Sequence, residues 1–196
     1  REVAGGQLAV ELKVPESFRQ EGAVGGSFEM GEVAITFLAT IFKKVKLHTH
    51  ENVGWGKIAI PEENLHTTAT WMSFDAAATK GLGRDEIASG LMGIGHLARN
   101  LAPIYCLCDA GDIGADAQVR APYNELPTVY LYDMVPGGVG LAEKLFDARE
   151  ALMEACLALV RACPCENGCP GCVGPQVEPK SAAKRAAAMM LGRLAG

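Results

Sequence analysis

The chain has 196 residues, 49% of them hydrophobic and 21% charged, with a formal net charge of −5. That length allows one domain with a good core or two small ones, and the acidic balance argues against a stand-alone nucleic-acid binder, whose phosphate contacts need a basic surface. There is no run of 18 apolar residues to span a membrane, and no Walker-type loop with which this chain could hydrolyse ATP by itself.

The first residues, REVAGGQLAV, carry neither a signal-peptide pattern nor an initiator methionine. We expect a piece of a longer polypeptide in a cytoplasmic setting. Residues 7–14 alternate, with Leu8, Val10, Leu12 and Val14 on one face, and predict a half-buried strand. Residues 20–31, rich in glycine and small polar residues, read as a turn or loop. Residues 32–47 predict a buried strand that fades into a basic, exposed end. Two more strands follow, VGWGKIAIP and NLHTTATWMSF, separated at Pro61; in the second, Leu65, Thr67, Ala69 and Trp71 share a face.

The period then changes. Ile87, Leu91, Ile94, Leu97, Ala98 and Leu101 fall at helical spacing, with Asp85 as N-cap and Pro103 as the stop. IYCLCD predicts a short apolar strand, 109–126 a polar loop, and TVYLYDMV (128–135) another strand. After PGGVG a long helix is expected from Leu141 to Ala162, with Leu145, Leu152, Cys156, Leu157 and Val160 on one side. Residues 181–195 predict a last, alanine-rich helix. Strands first, then alternating helix and strand, give one α+β (mixed α/β) domain.

At the end of the long helix stands RACPCENGCPGCVGP, with Cys163, Cys165, Cys169 and Cys172 spaced C-x-C-x3-C-x2-C. Four thiolates close a tetrahedral zinc shell, and Cys169-Pro-Gly-Cys172 has the form of a zinc knuckle. A closed shell has no open position for substrate, so the expected role is structural: one zinc ion pinning the long helix to the last one. An iron–sulfur cluster uses the same four thiolates, and disulfides or a redox pair are the remaining alternatives.

Other candidates have plainer readings beside them. Gly137, Gly138 and Gly140 lie in a strand–turn–helix that could offer N–H groups to a phosphate, or could simply be a tight connection. Asp109, Asp112 and Asp133 sit at strand ends; clustered carboxylates could hold magnesium for a phosphoryl-transfer or nuclease-like enzyme, or cap turns. His48 and His50, with His66 or His96, could form a second metal site or be solvated strand-end residues; His96 is expected to pack against the sheet. Cys106 and Cys108 read as small core residues of a strand. Lys43, Lys44 and Lys46, and Lys180, Lys184, Arg185 and Arg193, form two basic runs that could meet a phosphate backbone or face solvent. A protein-interaction module is a further alternative.

Four blocks in order carry a family resemblance: TTATW (67–71), GLMGIGHLARNLAPIYCLCDAGDIG (90–114), PTVYLYDMVPGGVGLAEKLF (127–146) and CPCENGCPGCVGP (163–175). Together they resemble the MZB domain, the zinc-binding domain at the C-terminus of MrfA-type superfamily 2 DNA helicases. The resemblance implies a single domain over 1–196: a peripheral strand and loop (1–31), an α/β core (32–162), the zinc loop (163–175) and a C-terminal helix (176–196). It implies that the four cysteines bind zinc. It also implies that the whole protein is an ATP-dependent, DEAD/DEAH-box-like DNA helicase that moves 3′ to 5′ and serves DNA repair. ATP and Mg2+ would belong to two upstream motor domains of the same polypeptide. The present domain would pack on those motors, help them engage DNA, and supply no catalytic residue.

Overall fold

The computed structural model describes residues 2–46, 52–57, 61–174 and 182–195. Residues 2–46 form one long antiparallel hairpin, β1 (Glu2–Ala23) and β2 (Gly26–Lys46), joined at Val24-Gly25. The loop expected over 20–31 is therefore strand on both sides of a two-residue tip. Its glycines hid a period of two in which Phe28 is buried on the helix-covered face and Glu29 points to the other. β1 is an edge strand of the sheet, whereas the part of the segment from Gly26 on is internal, because β2 also pairs with β4 (Glu63–Phe74), Phe28 lying opposite Met72. Pairing on both sides satisfies the backbone and outweighs weak strand propensity. A short strand, β3 (Asn52–Lys57), pairs with the far half of β2.

The expected strand at 128–135 is β6 (Thr128–Asp133), which pairs antiparallel with β4. Residues 113–118, expected as loop, form the edge strand β5 (Ile113–Gln118), in register with all of β6. IGADAQ has little strand propensity of its own; the unpaired edge of β6 supplies its partner. Among the described residues the sheet has six strands, ordered β1-β2-β4-β6-β5, with β3 branching from β2.

Each face of this sheet has its own core. Met72, Phe74, Val129 and Leu131 point to the helices, whereas Leu65, Ala69, Trp71, Tyr130 and Tyr132 pack with Leu12, Val33 and Ile35 on the opposite side. The expected common face of β4 is borne out, and β6, apolar without alternation, is buried on both faces.

Among the described residues there are four helices. α1 runs from Arg84 to Cys106, α2 from Leu141 to Asp147, α3 from Arg149 to Ala162 and α4 from Ala183 to Ala195. The N-cap of α1 is Gly83, whose N–H donates to the Glu86 carboxylate at 2.9 Å; Asp85 lies inside the first turn rather than at the cap. Pro103 does not stop the helix. It forfeits one N–H bond, but the last turn buries Cys106 and lets Tyr105 donate its hydroxyl to Ala151 O at 3.0 Å. IYCLCD is therefore a helix end and a turn, with the exposed Leu107 in left-handed geometry as C-cap. The long helix expected over 141–162 breaks at Ala148, where Arg149 donates to Phe146 O at 3.0 Å and lays its guanidinium over the Phe146 ring.

α1 is the support on which the C-terminal third is built. A Cβ at Gly90 would lie 2.9 Å from the Cβ of Ala186 in α4, and one at Gly93 would lie 2.9 Å from the Cβ of Val173 in the cysteine loop. Two glycines one turn apart thus let a helix and a loop approach the α1 backbone directly. His48, His50 and Lys180, together with the side chains of Lys43, Lys44 and Lys46, lie outside the described residues.

Candidate metal centre

α3 delivers the chain to the site. Its C-cap, Cys163, turns extended at φ −63° and ψ 129° while its N–H still donates to Leu159 O. Cys165 follows two residues on, and the turn at 169–172 brings the second pair back. Cys172 N–H donates to Cys169 O at 3.0 Å, and Cys169 N–H donates to Cys172 Sγ at 3.3 Å. Cys172 and Val173 are buried in the helix-side core, so the loop is anchored at its end.

The sulfurs converge. Cys163 Sγ lies 3.5 Å from Cys165 Sγ and 3.6 Å from Cys169 Sγ; Cys172 Sγ lies 3.5 Å from Cys165 Sγ and 3.6 Å from Cys169 Sγ. All four atoms fall within 4.8 Å of one another. Sulfurs placed tetrahedrally about 2.3 Å from a zinc ion are roughly 3.8 Å apart, whereas a disulfide joins them at about 2 Å. The spacing fits four thiolates around one dication and leaves the disulfide alternative without support.

Charge leads to the same conclusion. The backbone N–H of Cys165, with neighbouring thiols, holds the Cys163 thiol down at about 7. Burial, with the adjacent sulfurs, pushes Cys165 up to about 12. Four sulfurs this close cannot all ionise unaided, and a dication at their centre supplies the missing charge.

Two side chains from other helices hold the loop. Lys184, in the first turn of α4, donates through Nζ to Cys163 O at 2.7 Å and also to Cys165 O. His96 of α1 places Nε2 2.8 Å from Pro170 O. His96 therefore faces the cysteine loop rather than the sheet, a correction to the expected packing. Helical spacing carried the signal, since Gly93 and His96 are three apart and share a face. Nothing in the sequence marked Lys184 for this place.

The other candidates are spread apart. Among the described residues, the four cysteines are the only group of His, Cys, Asp and Glu side chains that converges on one point. His66 is exposed, and its carbonyl accepts the N–H of Gly137 at 2.8 Å. Asp133 is fully buried and works as an anchor for the glycine turn, its Oδ2 accepting the N–H of Val139 at 2.7 Å and of Leu141 at 3.3 Å. Gly138 N–H donates to Val135 O. The turn's N–H groups at 137, 138, 139 and 141 are thus turned inward, away from any phosphate. Asp112 accepts the N–H of Asp109 at 2.9 Å, which closes a local turn instead of joining Asp133. Cys106 is a core thiol at a helix end, raised to about 11 by burial first, and Cys108 is raised in the same way. Lys184 is committed to the cysteine loop, Arg185 pairs with Glu86, and Arg193 donates to Ala78 O and Lys80 O, so this basic run ties elements together.

Comparison with known proteins follows the same lines. Residues 94–173, from the middle of α1 through the cysteine loop, match the model of the MrfA Zn-binding domain. The chain belongs to the MrfA Zn-binding domain family. It is 40% identical over 178 residues to the uncharacterized ATP-dependent helicase YprA of Bacillus subtilis (strain 168), a match covering 91% of this chain and 24% of the helicase. It is 32% identical over 83 residues to the uncharacterized protein MJ1572.1 of Methanocaldococcus jannaschii, covering 41% of this chain and 74% of that protein. Among solved structures, the DUF1998 helicase MrfA bound to DNA matches with a TM-score of 0.77 and 38% identity over 98% of this chain and 25% of the helicase chain. A second structure, of MrfA bound to DNA and AMPPNP, matches with a TM-score of 0.62 over 96% of this chain and 22% of the other. The chain thus spans about a quarter of the length of the helicases it matches. No helix among the described residues is long and apolar enough to cross a membrane.

Proposed function

We propose that this chain is a zinc-stapled accessory domain of an ATP-dependent superfamily 2 DNA helicase. Its work is mechanical. One zinc ion on Cys163, Cys165, Cys169 and Cys172 locks the end of α3 to the start of α4, and the domain docks on the motor domains of the same polypeptide to help them engage DNA. ATP and Mg2+ act in those motors, which are DEAD/DEAH-box-like in this reading and serve DNA repair in the cytoplasm. The observation that carries the proposal is the alignment of nearly the whole chain with a quarter of a helicase. The sulfur geometry supports zinc, because a closed tetrahedral thiolate shell is a structural site.

A net charge of −5 fits a domain that borrows its grip on DNA from a neighbour. An enzyme built on Asp109, Asp112 and Asp133 has little left to stand on, since the carboxylates of Asp112 and Asp133 accept backbone N–H groups and the three do not converge on one point.

The test is an unwinding assay on the full-length polypeptide that contains this domain, wild type against Cys169→Ser. The proposal expects DNA-dependent ATP turnover and unwinding in the wild type, with unwinding impaired in the variant. Strong ATP turnover or magnesium-dependent phosphate release by the 196-residue chain alone would overturn it.

A further inference from the structure

The two arms of the cysteine loop are each touched from outside by one side chain, and the two side chains come from different helices. The C-x-C arm, Cys163 and Cys165, offers both carbonyl oxygens to Lys184 of α4. The C-P-G-C arm, Cys169 to Cys172, offers the Pro170 carbonyl to His96 of α1 at 2.8 Å. The same Nε2 lies 2.9 Å from Asn100 Nδ2, and in the tautomer with the ring hydrogen on Nε2 it donates to Pro170 O, since a carbonyl can only accept.

Both supports have fixed bases. Lys184 lies on a helix seated against α1 by the contact of Ala186 with Gly90, and its own N–H reaches toward Asn167 O in the loop. His96 stands one turn from Gly93, on whose backbone Val173 rests. An ammonium bridging two carbonyls fixes the peptide planes that follow Cys163 and Cys165 and thereby aims the first two sulfurs.

We propose that Lys184 and His96 are positioning residues of the metal centre, each holding one ligand pair, so that metal retention depends on the packing of α1 and α4. This rests on the zinc reading given above. In metal sites, losing a partner that orients the ligands costs roughly 10–100-fold in affinity.

The test is the rate at which the zinc-loaded chain gives up its metal to excess chelator, with the visible spectrum of the cobalt-substituted chain as a second readout. Lys184→Met keeps the aliphatic stem and removes the donors; it is expected to release zinc at least about tenfold faster and to shift the cobalt bands. Lys184→Arg should recover most of the loss. His96→Ala should act likewise, and the double variant should combine both effects, because the two residues hold different arms. Arg185→Met is the control. It breaks a neighbouring contact of the same helix, to Glu86, and should leave the release rate unchanged.

If Lys184→Met does not fold, Lys184→Gln carries the comparison, with one pair of N–H donors and no charge. A folded Lys184 variant that binds zinc and releases it at the wild-type rate would overturn the proposal. So would an Arg185→Met chain that loses zinc as fast as Lys184→Met, since that would mark a general loosening of α4. A wild-type chain that takes up no zinc would instead refute the zinc reading beneath it.

Discussion

The Oδ2 atom of Asp133, at the end of β6, accepts the N–H of Val139 at 2.7 Å across the glycine turn. The same oxygen accepts Leu141 N–H and the Thr68 hydroxyl, each at 3.3 Å, so one buried carboxylate organises the passage from sheet to α2. Gly138 belongs to this arrangement: it sits at φ +74°, and a Cβ there would lie 2.3 Å from Thr68 Oγ1. Asp133→Ala should cost about 1–3 kcal/mol, the usual range for leaving buried donors without their acceptor. Urea denaturation at neutral pH measures it, and a midpoint equal to wild type would show that the turn holds without its anchor.

Gly93 gives a second prediction. Gly93→Ala sets a methyl group 2.9 Å from the Cβ of Val173, next to the ligand Cys172. Overpacking of this kind costs about 1–3 kcal/mol, and the strain falls on the cysteine loop. The variant should melt lower and lose zinc faster than wild type. Gly111→Ala, where a Cβ would meet nothing within 4 Å, should do neither.

How much of this was legible beforehand differs by element. The strand of Leu65, Thr67, Ala69 and Trp71 declared its period of two, and the four cysteines declared their chemistry by spacing alone. β5 did not, because IGADAQ becomes a strand only when β6 offers an edge. The tip of the β1–β2 hairpin was masked by glycines whose pairing partners lie some forty residues away in β4. Pro103 read as a stop because local sterics disfavour it, while the buried Cys106 and the Tyr105 hydroxyl, long-range gains, carried the helix past it. His96 was visible as a helical residue, but its direction depended on a loop more than seventy positions later. The pattern is consistent: chemistry carried by spacing was readable, whereas features created by distant packing were not.

The buried thiols set a limit at high pH. Burial pushes Cys156 up to about 12 in the folded chain, against a reference value of 9.0 when unfolded. Above pH 9 the unfolded chain releases this proton and the folded chain does not, so stability falls as pH rises, by on the order of 1 kcal/mol per pH unit until about 12. The contribution is fully present below pH 9. Urea midpoints at pH 8 and pH 10.5 should therefore differ less for Cys156→Ala than for wild type. An equal difference would show that Cys156 does not carry this pH dependence.

The most direct measurement is metal content followed by melting of the purified 196-residue chain, before and after stripping with a strong chelator. The account expects one zinc per chain, bound through all four thiolates, and a cooperative melt that falls sharply or disappears when the metal is removed, because zinc binding here is coupled to folding. Re-addition of zinc should restore it, and Cys169→Ser should resemble the stripped protein. A chain that contains no zinc, or that melts unchanged without it, would contradict the account.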